Sequence, residues 1–166
     1  MKKIFIIVSL IACLLVFSSG CGCTNPRQAE PVITLPVNLF FANSYGEMAT
    51  EMREIANIPD HEQFLKLVIE ELIKGPESES LIATIPETVK VHALTIETDL
   101  VHVDFSREMH TDHWRGADSE VMTINSIVNT LTEFPFVERI KMTVAGEAMN
   151  IEHMFLDEPI RRYEIY

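Results

Sequence analysis

The run from Leu94 to Ser106 constrains the fold more than any other stretch of this chain. It reads as two short strands joined by a two-residue turn at Thr98 and Asp99. In that register Glu97 faces Leu100, Ile96 faces Val101, Thr95 faces His102 and Leu94 faces Val103. Strand side chains alternate, so Leu94, Ile96, Val101, Val103 and Phe105 share an apolar face, while His102 and Asp104 share the other with Thr95. Strands joined so tightly must pair antiparallel.

Helical and strand patterns alternate around this hairpin. Residues 37–41 alternate as a first strand, and Asn43-Ser44-Tyr45-Gly46 is a turn cluster. Residues 48–56 fit a second strand or a helical turn, and strand is favoured. Asp60, with Gln63 three residues on, has capping-box spacing. Phe64, Leu65, Val68, Ile69, Leu72 and Ile73 follow at helical spacing, and Gly75-Pro76 ends the helix. Glu62/Lys66 and Glu70/Lys74 are i,i+4 pairs in the favourable order. A second helix is expected from an Asp118-Ser119 cap, with Val121, Ile124, Ile127, Val128 and Leu131 as its buried stripe and Pro135 beyond it. Residues 137–144 read as a last strand, Ile140, Met142 and Val144 on one face, and Gly146 turns into a closing tail. The expected class is α+β, a small mixed or antiparallel sheet with two helices packed on one face.

The first residues read as a leader. Met1-Lys2-Lys3 is basic, and residues 4–17 form an apolar run of signal-peptide length, short of the roughly 20 residues a transmembrane helix needs. Ser18-Ser19-Gly20-Cys21 is similar to a bacterial lipobox, although Ser18 stands where leucine is usual. The expectation is a lipoprotein signal peptide over 1–20 and a palmitate-bearing anchor on Cys21, with ordinary secretion cleaved near Gly20 as the alternative. Residues 21–36, with Pro26, Pro31 and Pro36, read as a flexible tether reaching on the order of 40 Å. Residues 37–162 then form one domain. Cys13 would leave with the leader, so Cys23 would be the only thiol beside the anchor and no internal disulfide could form.

The full chain has 13 basic and 25 acidic side chains, formal net charge −12, and −14 without residues 1–20. That balance excludes nucleic acid as a partner and disfavours binding by charge to anionic lipid or wall polymer. The membrane is reached through the anchor.

Several pieces occur in one order: Glu70-Glu71-Leu72-Ile73-Lys74-Gly75-Pro76, Ile85-Pro86, Val101-His102-Val103-Asp104-Phe105-Ser106, Ile127-Val128-Asn129-Thr130-Leu131-Thr132-Glu133-Phe134 and Val144-Ala145-Gly146. The series resembles the GerMN domain of sporulation and spore germination proteins, over residues 37–162 and with Arg53 and residues 159–161 included. The resemblance implies a ring-building-motif-like fold and a non-enzymatic module on the outer face of the cell membrane. Its partner would be a cell-envelope protein, such as a ring-forming or germination complex, with peptidoglycan contact as a further option and no cofactor. Many relatives have an Asp-Gly type turn where this chain has Thr98-Asp99-Leu100, which implies a wider turn here, and some carry two copies of the domain.

His102 and Asp104 are followed closely by Glu108, His110, Asp112 and His113. Imidazole and carboxylate suit zinc, with His102, His110 and His113 as the candidate ligands, yet the spacing matches no closed metal signature. The enzymatic alternative is a peptidoglycan-active or metal-dependent accessory enzyme, in which Asp104 acts with Glu108 or Glu97. Against it, Asp104 and Ser106 sit at a strand end, where they can bind free backbone groups of the next turn. Trp114 suits plugging the domain's edge as well as anchoring a partner, and Phe134 and Phe136 suit the core. Glu97, His102, Asp104 and Trp114 are therefore the candidate interaction face, and no residue is assigned a catalytic role.

Overall fold

The structure, a computed structural model, describes residues 32–114, 116–151 and 154–162. The leader, Cys21 and Cys23 lie outside the described residues, as does most of the tether. In chain order the elements are β1 (Thr34–Asn43), β2 (Met48–Ala56), α1 (His61–Ile73), β3 (Leu81–Ile82), β4 (Val91–Glu97), β5 (Leu100–Phe105), α2 (Glu108–Thr111), α3 (Ala117–Leu131), β6 (Arg139–Val144), β7 (Glu147–Ile151) and β8 (Met154–Leu156). The architecture is α+β. Its strands fall into two sheets rather than one, ordered β2-β1-β3 and β4-β5-β6-β7-β8. The larger sheet is mixed, because β5 pairs antiparallel with β4 and parallel with β6.

The β4–β5 register matches the sequence expectation pair for pair, from Glu97↔Leu100 to Leu94↔Val103. The turn is not widened. Thr98 takes φ 60°, a left-handed conformation that is rare for a β-branched residue. Asp99 clamps it: its carboxylate accepts from Arg139 Nε and Nη2 at 3.1 and 2.6 Å, and its carbonyl accepts the Glu138 and Arg139 N–H groups. Val101, Val103 and Phe105 are fully buried.

β1 begins at Thr34, so Thr34, Leu35 and Pro36 belong to a strand that pairs with β2 and not to the tether. Val37, Leu39 and Phe41 point into the core. β2 is a strand, as favoured, and its Arg53 lies mostly buried over the Phe41 ring. Arg53 donates to the Glu71 and Gly75 carbonyls at the C-terminal end of α1 and to Glu51, whose carboxylate in turn accepts the Glu77 and Ser78 N–H groups. One guanidinium thus closes a helix end that has no basic residue in its own last turn.

α1 is capped by Asp60, whose Oδ1 accepts the Gln63 N–H at 2.9 Å, and it buries the six expected residues. Each such side chain contributes about 1.5–3 kcal/mol on burial. Two members of the expected surface pairs take other partners: Lys74 bonds Glu71 instead of Glu70, and Glu62 accepts the Ile96 N–H, tying α1 to β4.

α3 departs further from expectation. Its N-cap is Gly116 at φ 123°, not Asp118-Ser119. A glycine conformation admits the chain two residues earlier than an Asp118 cap would, leaving Asp118 in the first turn, where negative charge complements the helix dipole. Ile124, Ile127, Val128 and Leu131 are buried, whereas Val121 is only partly so. α3 lies chiefly against β1 rather than beside α1 on the hairpin. Its Ser126 donates to Phe40 O at 2.5 Å, and its Thr130 accepts the Phe40 N–H at 3.1 Å. Two hydroxyls one helical turn apart therefore stand in for a neighbouring strand along β1, just before β3 takes over at Ala42 and Asn43.

After β6 the chain forms a hairpin instead of a plain closing tail. Ala145 and Gly146 at φ 53° and 83° turn β6 into β7, and Ile160 returns to exchange both backbone hydrogen bonds with Ile140. Phe134 and Phe136 pack against the core, as expected.

Candidate functional site

The outward side of β5 is less open than its alternation suggests. Asp104 Oδ1 accepts Thr143 Oγ1–H at 2.6 Å and the Gly146 N–H at 2.8 Å, and its Oδ2 lies 3.5 Å from His92 Nδ1. Burial by itself would raise the Asp104 pKa, but these donors and His92 outweigh it and hold the carboxyl below its usual range. Asp104 thus pins the β6–β7 turn, while Ser106 Oγ accepts the Lys90 N–H and its carbonyl accepts the Met109 N–H. Glu108 is also held low, first by a hydrogen bond from the Ser106 side chain. A glycoside-cleaving pair needs one carboxyl kept protonated near neutral pH, and neither of these is.

The histidines go to separate partners. His102 Nε2 meets Thr143 Oγ1 at 2.9 Å, His113 bonds Trp114 O and Thr123 Oγ1, and His110 lines a shallow surface hollow with Arg107 and Glu147. The structure does not bring His102, His110 and His113 together, and among the described residues no group of three His, Cys, Asp or Glu side chains is placed to hold a metal. Glu97 is exposed beside the turn.

Trp114 stands apart from these residues, where β1, β3 and the start of α3 meet. It is 45% exposed and Ile82 is 52% exposed. Together with Ala42, Ala83 and Met122 they line an apolar groove of about 370 Å³. Trp114 and Ala83 also border a second hollow of similar size, lined by Pro86, Glu87, Thr88 and Asp112. Asp112 accepts Thr111 and Thr88 hydroxyls, which hold its carboxyl below the usual range. The backbone carbonyl of Trp114 is held in place. Trp114 O accepts from His113 Nδ1 at 2.7 Å, so that nitrogen carries a proton, and Nε2 meets the buried Thr123 hydroxyl at 2.8 Å. Of this surface, sequence reasoning identified only Trp114. The two-residue strand at Ile82 and the outer side of α3 at Met122 carry no periodic signal of their own.

The Germane family, described as "sporulation and spore germination", matches residues 38–150. The chain belongs to the Germane family. This Germane domain is also similar to three solved structures. One is a candidate lipoprotein of Clostridium perfringens, at 22% identity and TM-score 0.58, covering 81% of this chain and 90% of that one. Another is the tandem GerMN domains of the sporulation protein GerM from Bacillus subtilis, at 26% identity and TM-score 0.62. That match covers 78% of this chain but 45% of the tandem one. The first GerMN domain of GerM alone gives 20% identity and TM-score 0.59, covering 78% of this chain and 96% of that one. No curated protein matches the sequence significantly. The Germane family is a sporulation and spore germination family.

Proposed function

We propose that this Germane protein is an extracytoplasmic lipoprotein that acts in sporulation or germination by binding an envelope partner, without catalysing a reaction. The match over residues 38–150 carries this reading. The lipobox-like Ser18-Ser19-Gly20-Cys21 supports an anchor at Cys21, and the Clostridium perfringens protein of similar fold is itself described as a candidate lipoprotein. Among the described residues no helix is long and apolar enough to cross a membrane. Asp104 and Glu108, both held below the usual carboxylate range by local donors, do not supply the protonated general acid that the hydrolytic alternative needs.

Incubating the purified full chain with purified cell wall should release no soluble muropeptides. Release that disappears in Asp104→Ala would replace this function with the enzymatic one. In cell fractionation the wild type should sediment with membranes and Cys21→Ala should not; unchanged sedimentation of the variant would remove the anchor.

A further inference from the structure

The groove divided by Trp114 has the chemistry of a peptide-docking site. We propose that it receives a short segment of a partner protein in which an apolar side chain is followed by lysine or arginine, a proposal that rests on the binding role above. In the first hollow Ala42, Ile82, Ala83 and Met122 make the lining mostly apolar, with Thr84 and Ser119 as its polar members. Glu87 and Asp112 face the second hollow, where Lys74, the one cation among the described lining residues, is paired with Glu71. The two hollows share Trp114 and Ala83, so one extended segment can lay an apolar side chain in the first and a cation in the second.

Singly exposed apolar residues mean little, but Ile82 and Trp114 come from distant segments and line the same groove. Both backbones are held beforehand: Ile82 by strand pairing with Ala42, and Trp114 through its carbonyl, which accepts from the His113 ring that Thr123 in turn anchors. A preformed groove loses little ordering entropy on binding, and a half-exposed tryptophan is a favoured anchor. The net charge of −12 repels anionic occupants at longer range. Cell-wall glycan fits poorly. Its hydroxyls would find few partners against Ala42, Ile82 and Met122, and stem-peptide carboxylates would meet Glu87 and Asp112.

Trp114 is the chain's single tryptophan, so its emission reports on this groove alone. The test titrates the full chain in detergent micelles with the peptide Gly-Ser-Leu-Leu-Lys-Lys-Ser-Gly, the same peptide with both lysines replaced by glutamate, and soluble muropeptides. The lysine peptide should give a saturable blue shift, the glutamate peptide a response about tenfold weaker, and muropeptides none. Glu87→Lys should weaken the lysine peptide about fivefold, and Ile82→Glu should abolish the shift, with both variants melting like wild type. Should Ile82→Glu melt early, Glu87→Lys with Met122→Glu replaces it. No saturable shift at millimolar lysine peptide, equal responses to the two charge forms, or a response to muropeptides would each overturn the proposal. A failed titration with no muropeptide release from cell wall defeats this inference alone, whereas release defeats the binding role as well.

Discussion

Asp104 accepts two hydrogen bonds that hold a neighbouring turn, and the carboxylate of Glu97, the last residue of β4, accepts none in the described structure. The two carboxylates should therefore behave differently. Asp104→Ala strands the Thr143 hydroxyl and the Gly146 N–H, and urea denaturation should show a loss of about 2 kcal/mol. Glu97→Lys should stay within about 0.5 kcal/mol of wild type. Glu51 joins Asp104 in the acid response. Burial would raise its pKa, but the N–H groups of Ser78 and Glu77 and the Arg53 side chain outweigh that and hold it low. Both carboxyls titrate lower in the fold than in the unfolded chain, so their stabilisation is complete above the ordinary values of 4.5 and 3.8 and is lost as pH falls through the folded ones. Stability should thus fall on acidification from about pH 4.5, and Glu51→Gln should flatten that fall. At this scale the sequence identifies residues better than roles. Asp104 stands out as an acid on an outward face, but its partners Thr143 and Gly146 are some forty residues away and become visible only in three dimensions.

α1 and the β4–β5 hairpin were legible because periodicity, caps and turn length all agree within each segment. α3 was half legible. Its apolar stripe has the right spacing, but Thr123, Ser126 and Thr130, which lie outside that stripe, are buried as well, two of them against the backbone of Phe40. Thr130→Val keeps the shape and removes the acceptor, so it should cost about 1–3 kcal/mol and speed hydrogen exchange at the Phe40 amide. An unchanged Phe40 exchange rate would mean that the hydroxyl does not cover the strand. Thr98 tests the turn. A left-handed conformation costs a side-chain-bearing residue about 1–2 kcal/mol, so Thr98→Gly should raise the melting temperature, partly offset by a more flexible unfolded chain. β3 and the β7–β8 hairpin escaped the sequence reading because such short strands hold too few residues for alternation to register.

For the molecule as a whole, class and family were legible and the arrangement of surfaces was not. The candidate face grouped Glu97, His102 and Asp104 with Trp114, yet the groove around Trp114 is lined by none of the other three. Its walls come from β1, the segment at β3, the loop before β4 and α3, and no local pattern announces that convergence. The central claim is that an anchored Germane domain works by docking a partner at this groove. Site-specific photo-crosslinking in sporulating cells tests it most directly, with a photoreactive residue placed at position 82 and, as a control, at position 97. The account predicts a discrete adduct with an envelope protein from position 82 and little or none from position 97. An adduct from position 97 with none from position 82 would contradict it.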